Sequence, residues 1–267
     1  METFAISDLS VLLIEPSNTQ AKIIEHALQN QGVQNIEIVI LGQEALKTID
    51  KYPPDLIVSS MYLSDMTATE VITSLRHLDE PRDNIPFILI SSEHHFGLLD
   101  PIKQAGVAAM LPKPFTENDL SKALATAVQL IETDEIVFDS YDPDDLNILI
   151  VDDSPLACKH LSKTLENIGL SNFTIVHSGQ DALDLIEDQL KLDIILTDLY
   201  MPGMNGQQLT EHIRKDLGNT LLPIILITSE TDKSLLNEIR KAGVSAICSK
   251  PFNPQELKRI VTDVLEN

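Results

Sequence analysis

Positive charge is scarce in this chain: 19 Lys and Arg stand against 41 Asp and Glu in 267 residues, a formal net charge of −22. Phosphate backbones and anionic lipid repel so acidic a protein, which sets nucleic acid and membrane surfaces aside as partners. Cysteine is scarcer still. Cys158 and Cys248 are isolated, far from a disulfide framework or a zinc pattern. Each falls in a predicted helix or strand, where a cysteine serves as a small buried hydrophobe. No stretch approaches the ~20 consecutive apolar residues of a spanning helix, so no membrane insertion is expected. The N-terminal METFAISDLSVLLIEP lacks a basic n-region, and its apolar run is too short for a signal peptide. A soluble, cytoplasmic protein is the expectation.

The chain has apolar residues enough, 43% of the total, to fill two cores, and its length predicts about two domains. It also repeats itself. GQEALKTID at 42–50 matches GQDALDLIE at 179–187, AGVAAMLPKPF at 105–115 matches AGVSAICSKPF at 242–252, and VLLIEPS at 11–17 matches ILIVDDS at 148–154. The offset is 137 residues nearly throughout, slipping by one around residues 57–68 and 195–206. One domain of about 120 residues is therefore present twice. Residues 1–132 form the first copy and 146–267 the second. The junction TDEIVFDSYDPDD at 133–145 holds six acids and no bases, the composition of a solvated linker.

In the second copy the short apolar runs NILIV (147–151), FTIV (173–176), DIILT (193–197), PIILIT (223–228) and VSAIC (244–248) alternate with amphipathic stretches such as 156–168 and 181–190. Continuous rather than alternating apolar strands mean burial on both faces, hence a parallel sheet covered by helices. Five such units predict, for each copy, a flavodoxin-like (βα)5 doubly wound α/β fold with a five-stranded parallel sheet of order 2-1-3-4-5. Function in such sheets collects at the carboxyl ends of the strands.

Those ends carry an uncommon set in the second copy: Asp152 and Asp153 after the first strand, Asp198 at the third, Thr228 at the fourth, and Lys250-Pro251 after the fifth. Strands one and three are neighbours in this order, so three carboxylates are expected to converge. Two charges ~4 Å apart repel by about 4 kcal/mol at an effective dielectric near 20, and a hard divalent cation with oxygen ligands relieves that. Mg²⁺ suits two carboxylates with room for phosphate oxygens. Lys250 adds a fixed positive charge and Thr228 a hydroxyl able to bond a phosphoryl oxygen. Asp198 then stands as a nucleophile toward a phosphoryl donor, forming an aspartyl phosphate. Singly, a strand-end Asp caps a helix and Lys-Pro-Phe is a loop. It is their coincidence on the correct strands that carries the reading.

VDDS (151–154), TDLYMPGMNG (197–206), ITSE (227–230) and SKPF (249–252) give residues 146–267 a resemblance to the receiver domain of bacterial two-component response regulators. The resemblance implies that Asp198 accepts a phosphoryl group from a histidine kinase. It implies Mg²⁺ ligation by Asp153, Asp198 and the backbone carbonyl of Tyr200, with Asp152 assisting. Thr228 and Lys250 would contact the phosphoryl group, the Lys250–Pro251 bond would be cis, and the side chains of Tyr200 and Glu230 would tune the lifetime of the phosphoryl bond. The family often has an aromatic residue three positions before the lysine. Ile247 stands there, so the resemblance does not extend to coupling through an aromatic rotamer.

The first copy departs at the same places. Glu15 replaces Asp152, Pro16 replaces Asp153, Ser60 replaces Asp198, Ser91 replaces Thr228, Ser64 replaces Pro202 and Ala68 replaces Gly206, while Lys113-Pro114-Phe115 persist. Pro16 cannot ligate a metal, and Ser60 has no base placed to activate it. This copy resembles a pseudo-receiver, a fold kept as a docking or dimerisation surface. The adjacent His94 and His95 are expected in a surface loop rather than a metal site.

The chain ends two residues past Leu265 with no output domain in view. The expectation is a non-enzymatic tandem receiver. Its partners would be a sensor histidine kinase or histidine phosphotransfer protein and a downstream target protein, with a homodimer allowed. Chemotaxis signalling and a phosphorelay both fit. Its output surface would span roughly 233–241, 244–248 and 255–265. Two rivals stand beside it. One is a constitutive scaffold. The other is a haloacid-dehalogenase-type phosphatase, which wants a second Asp where Tyr200 stands.

Overall fold

The structure, a computed structural model, describes residues 5–132, 136, 138, 142–188 and 191–266. It divides into two compact units, Met1–Thr133 and Asp134–Asn267. In the first, strands β1 (Ser10–Ile14), β2 (Asn35–Val39), β3 (Leu56–Ser60), β4 (Phe87–Ser91) and β5 (Ala109–Pro112) alternate with helices α1 (Asn18–Asn30), α2 (Gly42–Lys51), α3 (Ala68–Arg76), α4 (Phe96–Gln104) and α5 (Glu117–Ile131). The second repeats the order with β6 (Ile148–Val151), β7 (Phe173–Val176), β8 (Ile194–Asp198), β9 (Ile224–Thr228) and β10 (Ala246–Ser249). Its helices are α6 (Pro155–Asn167), α7 (Gly179–Glu187), α8 (Gly206–Lys215), α9 (Lys233–Lys241) and α10 (Pro254–Glu266). The sheets run β2-β1-β3-β4-β5 and β7-β6-β8-β9-β10, every pairing parallel. Both are the 2-1-3-4-5 order that the apolar runs predict. Among the described residues no helix is long and apolar enough to cross a membrane.

Each sheet splits its apolar residues between two cores, one per face. In the first unit Leu12, Ile14 and Ile57 enter one core while Val11, Leu13 and Val58 enter the other. In the second, Ile148, Ile150 and Leu196 oppose Leu149, Val151 and Ile195. Successive side chains on a strand point to opposite faces, so only unbroken apolar runs satisfy both helical layers. Two-sided burial holds for the central strands β3, β4, β8 and β9, buried at every position. It fails at the edges: β2 buries only Val39, and no residue of β7 is fully buried. An edge strand has one neighbour and incomplete helix cover, which apolar composition alone does not reveal.

Side chains stop the loops and start the helices at matched places. Ser17 and Ser154 cap α1 and α6 through their hydroxyls, and Pro155 occupies the first turn of α6. Thr67 with Glu70, and Asn205 with Gln208, form reciprocal capping boxes at α3 and α8. Lys113–Pro114 and Lys250–Pro251 are both cis. An arginine braces each unit, buried in the first and half-buried in the second. Arg76 donates to the carbonyls of Ala105, Gly106, Asp83 and Ile85, at 2.6–3.1 Å, and burial lowers its pKa to about 10 against the opposing pull of Asp83. Arg214 donates to Gly243, Asn219 and Leu222 at 3.1, 2.9 and 2.7 Å.

The junction differs from a wholly solvated linker. Residues 133–135, 137 and 139–141 lie outside the described residues, but Ile136 and Phe138 are buried in a core of the second unit. The Ile136 amide also donates to the Ile168 carbonyl at 2.8 Å. The acids of this stretch mask two apolar side chains spaced to face one way.

Candidate functional site

β6 and β8 are adjacent, with Val151 beside Thr197, so the residues that follow them meet at one end of the second sheet. Asp152 and Asp198 are both buried, and Lys250 reaches in from the loop after β10. Its Nζ donates to Asp198 Oδ1 at 2.7 Å and to Asp152 Oδ2 at 2.9 Å. The remaining oxygens are bound as well. Tyr200 N donates to Asp198 Oδ2 at 2.7 Å, and Ser154 N to Asp152 Oδ1 at 2.9 Å.

Two buried carboxylates thus share one ammonium. Burial raises the pKa of Asp198; Lys250 pulls it down and Asp152 pushes it up again. Burial alone would lower Lys250, but Asp198 and Asp152 outweigh it and hold the ammonium above its usual range. One negative charge remains in excess when all three ionise. Asp153, next in the chain, is exposed. Lys250 joins Asp152 and Asp198, and among the described residues no three Asp, Glu, His or Cys side chains gather as a ready-made metal cluster. The donor chemistry fits a hard cation: Asp152 and Asp198 offer oxygens, and their charge exceeds that of Lys250 by one.

Thr228 is fully buried at the end of β9, its Oγ1 accepting from Glu230 N at 3.1 Å. Tyr200 OH donates to Glu230 Oε2, while Glu230 Oε1 accepts from the amides of Thr231 and Asp232, each at 2.7 Å. Ile247, where an aromatic is common, packs beside Leu199, Leu226 and Ile239. Gly206 is fixed by space: a Cβ there would lie 2.2 Å from the Asp198 carbonyl oxygen.

The first unit repeats the frame with other contents. Ser17 N donates to Glu15 Oε1 at 2.9 Å, as Ser154 N does to Asp152. Lys113 Nζ donates to Glu15 Oε2 at 3.2 Å, to Ser60 Oγ at 3.0 Å and to Gln20, and the Ser60 hydroxyl donates to Glu15. Ser91 Oγ accepts from Glu93 N at 3.0 Å, and Tyr62 OH donates to Glu93 at 2.8 Å. His94 and His95 are exposed, and His95 Nδ1 lies 2.6 Å from Glu93 Oε1.

Two residues absent from the sequence reading of this site touch Asp152. The Cys158 thiol donates to its backbone carbonyl at 3.3 Å, and His177 Nδ1 lies 3.0 Å from the same oxygen. Burial pushes the Cys158 thiol up to about 12, so it stays a donor. The sequence signal was faint: Ala21 and Ile40 stand at these positions in the first copy.

The response regulator receiver domain model matches residues 11–125 and again 148–262. The chain belongs to the response regulator receiver family, and it carries two receiver domains in tandem. It is similar to a chemotaxis protein CheY homolog of Campylobacter jejuni, 34% identical over 120 residues that cover 45% of this chain and 92% of that protein. It is also similar to the chemotaxis protein CheY1 of Helicobacter pylori, 33% identical over 120 residues, 45% of this chain and 97% of that one. Among solved structures, the chemotaxis protein CheY4 of Vibrio cholerae matches at 29% identity and a TM-score of 0.41, covering 45% of this chain and 98% of its own.

Proposed function

We propose that the second unit is the phosphorylatable receiver of a two-component pathway and that the first is a pseudo-receiver kept for binding. Asp198 attacks the phosphorus of a phosphohistidine on a sensor kinase or phosphotransfer protein. An O–P bond forms on the carboxylate as the donor's N–P bond breaks, and the imidazole leaves with the electron pair. Each Asp198 oxygen has one hydrogen bond and keeps a lone pair for attack. Lys250 keeps the nucleophile ionised despite its burial, then binds the phosphoryl oxygens together with the Thr228 hydroxyl. Asp152, Asp153, Asp198 and the Tyr200 carbonyl would hold Mg²⁺, which offsets charge on the transferring group.

The observation that carries this reading is the imbalance at Lys250: two buried carboxylates on one ammonium, a costly arrangement unless a cationic or phosphoryl chemistry uses it. The chain has no turnover of its own in this reading. Phosphorylation in the cytoplasm changes which target protein, or which second copy, it binds. The names of the Campylobacter and Helicobacter relatives favour a chemotaxis pathway. The closed network around Ser60 favours a phosphorylation-independent, scaffold-like role for the first unit.

Intact-mass spectrometry after incubation with acetyl phosphate and Mg²⁺ tests the proposal. One phosphoryl adduct is expected, lost in Asp198→Asn, kept in Ser60→Ala and abolished by chelation. An adduct that survives in Asp198→Asn sinks the assignment, and turnover of a generic phosphomonoester would point to a phosphatase instead.

A further inference from the structure

Residues 152–154 are held from several sides in the second unit. The Asp152 amide donates to the Val176 carbonyl at 3.2 Å, and its Oδ1 accepts from Ser154 N at 2.9 Å. Its backbone carbonyl faces two donors, the Cys158 thiol at 3.3 Å and His177 Nδ1 at 3.0 Å. A carbonyl oxygen only accepts, so Nδ1 carries the ring proton in this contact. The two donors converge on one oxygen and lie 3.8 Å from each other. That oxygen belongs to the peptide joining Asp152 to Asp153, and the plane of this peptide sets where the exposed Asp153 side chain starts.

The first unit supplies an internal control. There the Glu15 amide donates to the Val39 carbonyl at 3.1 Å and Ser17 N donates to Glu15 Oε1, so two of the restraints persist. The donors to the carbonyl do not: Ala21 stands for Cys158 and Ile40 for His177. The next residue is Pro16, whose ring fixes φ covalently. Where proline stiffens the chain, the donor pair is absent. Where an aspartate must stand instead, the donor pair is present.

We infer that His177, with the Cys158 thiol, is a positioning residue for the Asp152–Asp153 acid pair: by bonding the Asp152 carbonyl it orients that pair toward a divalent cation. The inference rests on the metal-dependent reading above. His177 is exposed and lies after edge strand β7, so its replacement leaves the core intact. Partners that orient metal ligands typically contribute about ten- to a hundredfold in affinity. A partner acting through a backbone carbonyl belongs at the lower end, about tenfold.

The test is Mg²⁺ binding by the full chain, followed by calorimetry without any phosphodonor, beside the Mg²⁺ dependence of phosphorylation by acetyl phosphate. His177→Ile, which installs the first copy's side chain, is expected to weaken Mg²⁺ binding about tenfold. The half-saturating Mg²⁺ in the phosphorylation assay should rise equally, with the rate at saturating Mg²⁺ changed less than about twofold. His177→Asn places an amide N–H where Nδ1 was and restores binding; His177→Gln places it at the Nε2 position and does not. Native Mg²⁺ affinity in His177→Ile, or equal losses in the Asn and Ile variants, overturns the inference. A wild-type chain that binds no Mg²⁺ overturns the metal reading and the inference with it.

Discussion

The two strand-end sites share a scaffold and differ in their charge balance. In the first unit, one carboxylate, Glu15, faces one ammonium, Lys113, and the Ser60 hydroxyl completes a triangle whose members satisfy each other. In the second, Asp152 and Asp198 face Lys250 and leave negative charge over. The surrounding frame is conserved in detail between them: the amide of Ser17 or Ser154 on the first acid, the Tyr–Glu contact across the loop, the cis Lys–Pro bond. Asp65 adds a tie peculiar to the first unit, accepting from the amides of Gly42 and Gln43 at 2.8 and 2.9 Å and so fastening the loop after β3 to α2. The comparison teaches that losing the acid need not loosen the fold. A hydroxyl and a longer acid close the site into a neutral cluster.

Rebuilding one site in the image of the other has the largest expected effect. Ser60→Asp alone should gain no second phosphoryl adduct, because Pro16 offers no carboxylate. The triple change Glu15→Asp, Pro16→Asp, Ser60→Asp should gain one, scored by intact mass. A second adduct in the single variant would break the comparison.

Next in size is removal of the lysines. Lys250→Met strands two buried carboxylates and should cost about 3–5 kcal/mol at neutral pH. Lys113→Met leaves Glu15 bonded to Ser60 and Ser17, at a cost of about 1–2 kcal/mol. Amide hydrogen exchange in β6 and β1 during urea titration reads the two units separately.

Gly206→Ala should cost the second unit about 2 kcal/mol, since the added carbon meets the Asp198 carbonyl. The first unit already carries Ala68 at this place, so Ala68→Gly there should cost only about 0.5–1 kcal/mol. The same exchange measurement compares them.

The smallest effect is a titration. The His95 amide and ring, then Tyr62 and the His94 amide, hold the Glu93 carboxyl down at about 2. A depressed acid stabilises the fold above its unfolded pKa near 4.5, and that contribution fades as pH falls toward 2. Carbon-detected NMR should place the Glu93 midpoint near 2, and Tyr62→Phe should move it upward.

Much of this architecture was legible in the sequence because it rests on long-range regularities. The unbroken runs 223–228 and 193–197 announced two-sided strands, and the 137-residue offset paired each acid with its replacement. Strand order led to the expectation that Asp152, Asp153 and Asp198 converge, and Asp152 and Asp198 do meet, on Lys250. What escaped has no periodic signature. The exposure of β7 depends on its being an edge. Ile136 and Phe138 lie hidden among acids. The bonds from Cys158 and His177 end on a backbone carbonyl, which every residue possesses, so no residue type at the receiving end advertises them. Tyr200 and Glu230 were named for a shared role, but their mutual bond, and its repetition by Tyr62 and Glu93, has no signature in the sequence.

The arginine brace of the second unit has a mechanical consequence. Arg214 ties Gly243, just past the end of α9, to α8 and to the Leu222 carbonyl before β9. The opposite end of α9 begins at Lys233, held through the Glu230 side chain to the amides of Thr231 and Asp232. One end is clamped by a branched cation; the other is held by the Glu230 carboxylate, two residues from Thr228, and by the Asp232 side chain, which accepts from Ser234 N at 2.7 Å. Both ends of α9 are therefore seated by side-chain bonds and its middle by Ile239 against Leu199 and Leu226, which couples the helix as one piece to the strand that carries Thr228.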